Sequence, residues 1–259
     1  KFIIPVFGFS TSIKDKPKRV GESRPGAYYS TRTQFWGIDD LTKRQQTEVS
    51  SDRLMYHGKQ INIMYSPGGK LFILNQGKNN RGLCVCPTCG FTKDPFTKGV
   101  KHETKYGRAC SSKKLIDVSL GHKFSTDILK IELPAFEASA DFVELIQSKD
   151  LYLSVMYALL EGASIALDIN RDDISGCVTG DNEIILYDDT PGGSGFVKNI
   201  YKHFDEVLRQ ARKKVSGRDC GCTSETSCYG CLRNYGNQFF HDKLSRGLAY
   251  AYLDRILGN

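Results

Sequence analysis

Residues 220–241 read CGCTSETSCYGCLRNYGNQFFH. Four cysteines, Cys220, Cys222, Cys228 and Cys231, fall within twelve residues in the spacing C-x-C-x5-C-x-x-C. Closely spaced pairs are poor partners for each other in a relaxed disulfide but good pincers for a metal. A redox C-x-x-C normally stands alone at a helix start, which four cysteines together disfavour. An iron–sulfur cluster also takes four thiolates. The intervening Gly, Ser, Thr and Glu suit a tight exposed loop, and zinc is the expected ion. Four thiolates complete the zinc tetrahedron, so the site should be closed and structural, because catalytic zinc keeps an open position.

A second group lies upstream in LCVCPTCGF, with Cys110 following Cys89 by twenty-one residues. Cys86 and Cys89 form a zinc-knuckle half in which Gly90 lets backbone amides turn toward sulfur. Cys110 is the third ligand. The fourth is either Cys84 or His102, the latter in KHETKYGRAC. Eight of the nine cysteines thus sit in two groups, and Cys177 stands alone. Disulfide-stapled secreted proteins are usually smaller, with cysteines spread along the chain, so a reducing, cytoplasmic setting is expected.

With 259 residues, 40% hydrophobic and 25% charged, the chain is long enough to bury a sizeable core. Its net charge of +7 favours a polyanionic partner without demanding one. The longest apolar run, Leu151 to Leu160, stops at Glu161, short of the roughly 20 residues of a membrane span, and no membrane partner is expected. The chain opens KFIIPVFGFSTS, without Met and without a signal-peptide cleavage pattern, as a fragment or processed piece would.

Periodicity gives an α+β fold, a mixed β-sheet with packed helices and one or two structural zinc knots. Residues 1–60 read as a basic, irregular segment with short strands such as RTQFWGI. Residues 61–135 are β-rich and carry the first cysteine group. In them INIMYSPGGKLFILNQG reads as a hairpin turning at Ser66-Pro67-Gly68-Gly69. Residues 136–259 are helical and α+β. They hold a helix over 139–168 with Ser139 as a cap, apolar nearly all round. Two strands follow, joined at Gly180-Asp181-Asn182. A helical stripe then runs through Val197, Ile200, Tyr201, Phe204, Val207, Leu208 and Ala211, and a last helix spans about His241 to Leu257.

Two further features admit a bland and a sharper reading. In YDDTPGGSGF, Asp188 and Asp189 either cap backbone amides at a strand–turn–helix corner or, with His241 or His122, bind metal in a nuclease or hydrolase. Neither nucleotide-binding glycine fingerprint is met, and H-E-x-x-H, G-x-S-x-G and Walker motifs are missing from the sequence. Capping is the expectation. The cations Arg209, Arg212, Lys213, Lys214, Arg218 and Arg233 flank the second cysteine group, and Lys113 and Lys114 follow the first. They form either solvated faces and a favourable helix C-terminus or contacts to nucleic-acid phosphates. Tyr229 and Tyr235 are aromatic neighbours that can stack on bases, as are Phe239 and Phe240, though both Phe are expected in the core.

Three segments in order, VCPTCG…C…LGHKFSTDIL, ILYDDTPGGSGF and CGC…SCYGCLRNYGNQFFHDKLSRG, resemble the C-terminal zinc-binding domain (MZB) of MrfA-type DNA-repair helicases. The resemblance runs over most of the chain, and C-Y-G-C-L-R-N-Y-x-N-Q-x-x-H is its most specific part. It implies zinc on Cys220, Cys222, Cys228 and Cys231, and a non-catalytic accessory role to a superfamily 2 DNA helicase in repair or phage defence. Related domains also occur as separate subunits, such as the DrmB component of DISARM systems. The implied partners are DNA and an ATP-driven motor, in the same polypeptide or as a separate subunit. A protein-docking subunit of such a complex is a further alternative.

Overall fold

The computed structural model describes residues 2–4, 31–77, 81–93, 99–112, 114–134 and 149–258. Expectations for the basic segment around residues 13–27 and for a helix start at Ser139 lie outside the described residues. The chain divides into two compact units, residues 1–33 with 72–123 and residues 34–71 with 124–259. This division is discontinuous in sequence, unlike the three consecutive segments read from composition.

In the first unit, strand β1 (Phe2–Ile3) pairs parallel with β7 (Ile116–Glu132) at Ser119 and Leu120. Strand β5 (Leu83–Val85) lies antiparallel between β7 and β6 (Thr92–Lys93). Leu83, Val85 and Val118 are buried together, with Ile3, Ile116 and Leu120 packed against them. This small core anchors the first cysteine group.

The second unit is a sheet covered on one face by helices. Strands β2 (Thr31–Ile38) and β3 (Ser50–Tyr56) both pair with β4 (Lys59–Asn75). β4 neighbours β7, and β7 pairs antiparallel with β9 (Ile184–Asp188), which pairs antiparallel with β8 (Ile174–Val178). Alternation sorts the side chains by face. Ile61, Ile63, Leu129, Ile131, Ile184 and Leu186 point to the helices, whereas Leu71, Ile128, Ile185 and Tyr187 pack on the other face. The β8–β9 turn forms as the sequence indicates, with Asn182 at φ 63°. A short helix α1 (Lys43–Glu48) is capped by Thr42, which exchanges bonds with Gln45.

The expected hairpin at Ser66–Gly69 does not form, since β4 runs straight through it for 17 residues. Two neighbours explain the misread turn chemistry. A Cβ on Gly69 would lie 2.0 Å from Ile128 Cγ2, so this glycine permits close strand packing and not a bend. Pro67 falls in the gap between the Ser50–Tyr65 pair of β3 and the bond from Asp39 N–H to the Gly68 carbonyl, where no ladder donor is needed.

Helix α2 (Lys149–Leu167) is central, with α4 (Phe204–Lys214) and α5 (Arg246–Leu257) against it and β8 beneath. Its stretch Asp150–Leu167 is long and apolar enough to cross a membrane, but that apolar surface packs within the core of this unit. The single helix expected from Val197 is two, α3 (Phe196–Lys202) and α4, broken at His203, whose ψ of 27° ends the first. The apolar stripe survives the break because Val197, Ile200, Phe204, Val207, Leu208 and Ala211 are all buried. The last helix starts at Arg246, capped by the Ser245 hydroxyl, and not at His241, which lies in a preceding 3-10 turn over Gln238–Lys243.

Gly162 of α2 lies where the backbone of α4 comes close. A Cβ there would stand 2.5 Å from the Val207 carbonyl oxygen and 2.6 Å from the Ala211 nitrogen, both backbone atoms that cannot swing aside. Gly162→Ala gains helix propensity but overpacks this crossing, and a net loss of about 1–3 kcal/mol is expected in denaturant unfolding, with zinc content unchanged.

Candidate metal centres

The second cysteine group gathers on an irregular loop between α4 and α5. Sulfur–sulfur distances are 3.6 Å for Cys220–Cys222, 3.7 Å for Cys222–Cys231 and 3.8 Å for Cys228–Cys231. A zinc tetrahedron with bonds of about 2.3 Å has edges of about 3.8 Å, and a disulfide would need about 2.05 Å. All four sulfurs lie within 4.8 Å of one another, so the donor set fits one zinc ion. Backbone amides point at the sulfurs: Cys222 to Cys220, Gly230 to Cys228, and Cys228 to Cys231 at 3.1 Å. Such donors favour thiolate over thiol. Burial works the other way and pushes the Cys231 thiol up to about 12, a proton that a bound cation displaces.

The loop is clamped to the start of α5. Arg246 donates to the Val215 and Cys222 carbonyls at 3.0 and 3.4 Å, and the Ser245 hydroxyl donates to the Ser224 carbonyl at 2.9 Å. Arg246 and Gly247 amides donate to the Thr226 and Ser224 carbonyls. Downstream, Asn234 and Asn237 exchange backbone-to-side-chain bonds of 2.9 Å, and Asn237 Nδ2 donates to the Leu232 carbonyl. His241 Nε2 lies 2.9 Å from Asn237 Oδ1 and 3.2 Å from the Asn234 carbonyl, so it must be the donor. Arg233 bonds Ser227 Oγ at 3.0 Å and the His241 carbonyl at 3.4 Å. The stretch R-N-Y-G-N-Q-F-F-H is thus a network of local bonds, a role not readable from residue types alone.

The first group comes together by a different route. A strand turn places Cys86 and Cys89, with the Gly90 amide on the Cys86 carbonyl at 2.9 Å. A short hairpin, bridged at Glu103 and Ala109, brings His102 beside Cys110, whose amide donates to the His102 carbonyl at 3.0 Å. Cys86 and Cys110 sulfurs are 3.9 Å apart, and Cys89 Sγ is 3.2 Å from His102 Nε2. His102 Nδ1 lies 2.7 Å from the Val100 carbonyl, so Nδ1 carries the proton and Nε2 offers its lone pair. The ring also stacks on Phe91 at 4.6 Å. Burial works to raise the Cys86 thiol, but the Cys89 and Thr88 amides and the Ser112 hydroxyl outweigh it and hold it at about 5. Cys86, Cys89, His102 and Cys110 therefore make a donor set suited to zinc. Cys84 lies outside it, with its sulfur 2.9 Å from Asp117 Oδ1.

The other expected site residues are placed as follows. Asp188 is buried and accepts the amides of Ser194, Phe196 and Val197 at 2.6–3.1 Å, so it caps α3. Asp189 is exposed, His241 is engaged as above, and His122 belongs to the first unit. Near Asp188, Asp127 is buried and accepts from the Tyr65 hydroxyl at 3.2 Å, and burial together with the Asp188 charge raises its pKa. Arg209 pairs with Asp205 and Glu206, Arg212 with Asp254 at 3.3 Å, and Lys214 with Glu161 at 4.0 Å. Lys213, Arg218 and Lys114 are exposed, and Lys113 lies outside the described residues. Phe240 packs near Tyr157 as expected of a core residue, whereas Phe239 is exposed.

Comparison with known proteins finds a match that includes the closed four-sulfur loop. Residues 155–232 match the MrfA Zn-binding domain family, MZB. The MZB match runs from α2 to the residue after Cys231, so it contains the second centre and not the first. The chain is also 27% identical over 226 aligned residues to the Druantia protein DruE of Escherichia coli (strain UMEA 4076-1), covering 76% of this chain and 12% of that protein. It thus spans about an eighth of that relative's length. A crystal structure of the DUF1998 helicase MrfA bound to DNA aligns with 87% of this chain and 24% of the other, at TM-score 0.45 and 14% identity. A second MrfA structure aligns with 71% and 22%, at TM-score 0.35 and 16% identity.

Metal analysis of the purified chain should find two zinc ions. Cys89→Ser or His102→Ala should lower this to one, and Cys84→Ser should leave it at two. Cys228→Ser should remove the other ion and destabilise the C-terminal helix, seen as lost amide-exchange protection in α5.

Proposed function

We propose that this chain is a non-catalytic, zinc-stabilised accessory domain of a superfamily 2 DNA helicase, which holds DNA beside the motor during repair or phage defence. The observation that carries this reading is the four-sulfur centre lying within a match to a helicase-associated zinc domain. Zinc sits on Cys220, Cys222, Cys228 and Cys231, and a second ion on Cys86, Cys89, His102 and Cys110. Both sets fill a tetrahedron with protein ligands, which leaves no position for a water nucleophile. Asp188 spends its oxygens on three amides, so a nuclease built on the Asp188–Asp189 pair gains no support. The sequence lacks a Walker motif, and the ATPase belongs elsewhere in a longer polypeptide or to a separate subunit. A reducing compartment such as the cytoplasm suits so many thiolates.

DNA contact rests on cations round the second centre. Lys213 and Arg218 are exposed, as are the pairs made by Arg209, which hold weakly in solvent, whereas Arg212 and Lys214 are half-buried in pairs with Asp254 and Glu161. A docking subunit without DNA contact is the second reading, favoured by those same ion pairs. Fluorescence anisotropy with labelled DNA separates the two. Affinity should fall steeply between about 50 and 200 mM salt, and Lys213→Ala with Arg218→Ala should weaken binding across sequences and reduce the salt slope by about 2. No DNA affinity at low salt, with the chain alone or joined to its motor, would sink the DNA reading, and intact complex formation would then select docking.

A further inference from the structure

Arg246 opens α5, at the end of a helix where a cation is disfavoured. The N-terminus carries partial positive charge, and the first turn of α5 holds no Asp or Glu to offset it. Arg246 is half-buried, and among the described residues it makes no ion pair. Its Nε is buried without a hydrogen-bond partner. The charge of Glu225 acts on it, but Glu225 is exposed and makes no ion pair with it. A half-buried cation without a counter-charge is costly.

The guanidinium is nonetheless closely held. Nη1 donates to the Val215 carbonyl at 3.0 Å, and Nη2 donates to the Cys222 carbonyl at 3.4 Å. Gly217, at φ 86°, lies against the group: a Cβ there would stand 2.5 Å from Nη1 and 2.8 Å from Cζ. The Val215 carbonyl belongs to the negative end of α4, but Arg212, Lys213 and Lys214 already crowd that last turn with positive charge. Cys222 offers more, because it also supplies one of the four sulfurs. Bond geometry within one residue puts Nη2 at most about 8 Å from that sulfur. The charges of four thiolates exceed the two of a zinc ion, so the loaded centre is a dianion. It is the counter-charge that Arg246 otherwise lacks.

We propose that Arg246 is the counter-ion of the second metal centre, and that its charge, beyond its bonds to two carbonyls, sets how tightly zinc is held there. It is a positioning residue that acts on the ion through the electrostatics of the sulfurs. Because the same side chain opens α5, loading of the centre and seating of that helix are coupled through it. The first centre belongs to the other compact unit and serves as an internal control.

The test compares Arg246→Lys, which keeps the charge, with Arg246→Gln, which keeps a donor for the carbonyls and loses the charge. Each zinc-loaded chain is titrated with a competing chelator. Iodoacetamide labelling with peptide mass mapping then reports on each cysteine group separately, and circular dichroism checks the fold. Arg246→Gln should hold the second zinc ion at least about ten-fold more weakly than the parent, with faster alkylation of Cys220, Cys222, Cys228 and Cys231. Alkylation of Cys86, Cys89 and Cys110 should be unchanged. Arg246→Lys should recover most of the loss. Parental zinc affinity in Arg246→Gln overturns the proposal. Equal losses in the two variants overturn it as well, and leave Arg246 as a hydrogen-bonded clamp. If Arg246→Gln does not fold, Arg246→Lys decides: zinc retained at the second group supports the counter-ion, and zinc lost there overturns it. A parent chain that holds no zinc on the second group overturns the centre itself, and the counter-ion with it.

Discussion

The C-terminal helix is held in place through the loop on which the four sulfurs of Cys220, Cys222, Cys228 and Cys231 converge. The stretch from Cys220 to Ser245 contains no α-helix and no strand, and loops of this length seldom hold a shape without help. Its buried apolar side chains are few, chiefly Leu232 and Leu244 with Cys231. Sulfurs spaced at 3.6–3.8 Å supply the missing constraint, and the bonds from Ser245, Arg246 and Gly247 pass it on to α5. Since α5 closes one side of the core round α2, the metal loop and the hydrophobic core support each other. Metal affinity and folding free energy are then one quantity for this region.

The same constraint bears on function. A centre with four protein ligands leaves no open position for chemistry at the metal, so its contribution is to stiffen the surface that the loop presents. That surface has two components, cations at the end of α4 and aromatic rings beyond the cluster. The buried carboxylates belong to the scaffold. Asp188 ties the Gly-rich turn to α3, and Asp127 lies beside it under Tyr65.

The first centre illustrates a separate solution to the same problem. Among the described residues its unit has a core of only a few side chains, and small cores of this kind usually need a metal or another cross-link. There a knuckle and a hairpin, distant in sequence, are joined through three sulfurs and an imidazole. The Val100 carbonyl settles which nitrogen faces the sulfurs.

By itself the sequence determined the features set by local chemistry. Cysteine spacing announced both metal loops, because a tetrahedron demands short ligand spacings. Hydrophobic periodicity announced α2, the β8–β9 pair and the stripe from Val197 to Ala211, because the period of a buried face is a property of the chain. The tertiary structure alone decided whatever depended on a distant partner. Gly68 and Gly69 read as a turn, yet Ile128 and Leu41 need that space and the strand continues. His102 and Cys84 were equal candidates until a hairpin carried His102 to Cys89 and a strand pairing set Cys84 against Asp117. Arg209 and Arg212 read as a solvated face or as phosphate contacts, and packing sets Asp205, Glu206 and Asp254 beside them. Phe239 read as core, yet the Asn234–Asn237–His241 lock keeps it in solvent. Spacing along the chain specifies which groups can meet a common centre, but only packing specifies which of them are brought there and which are left exposed.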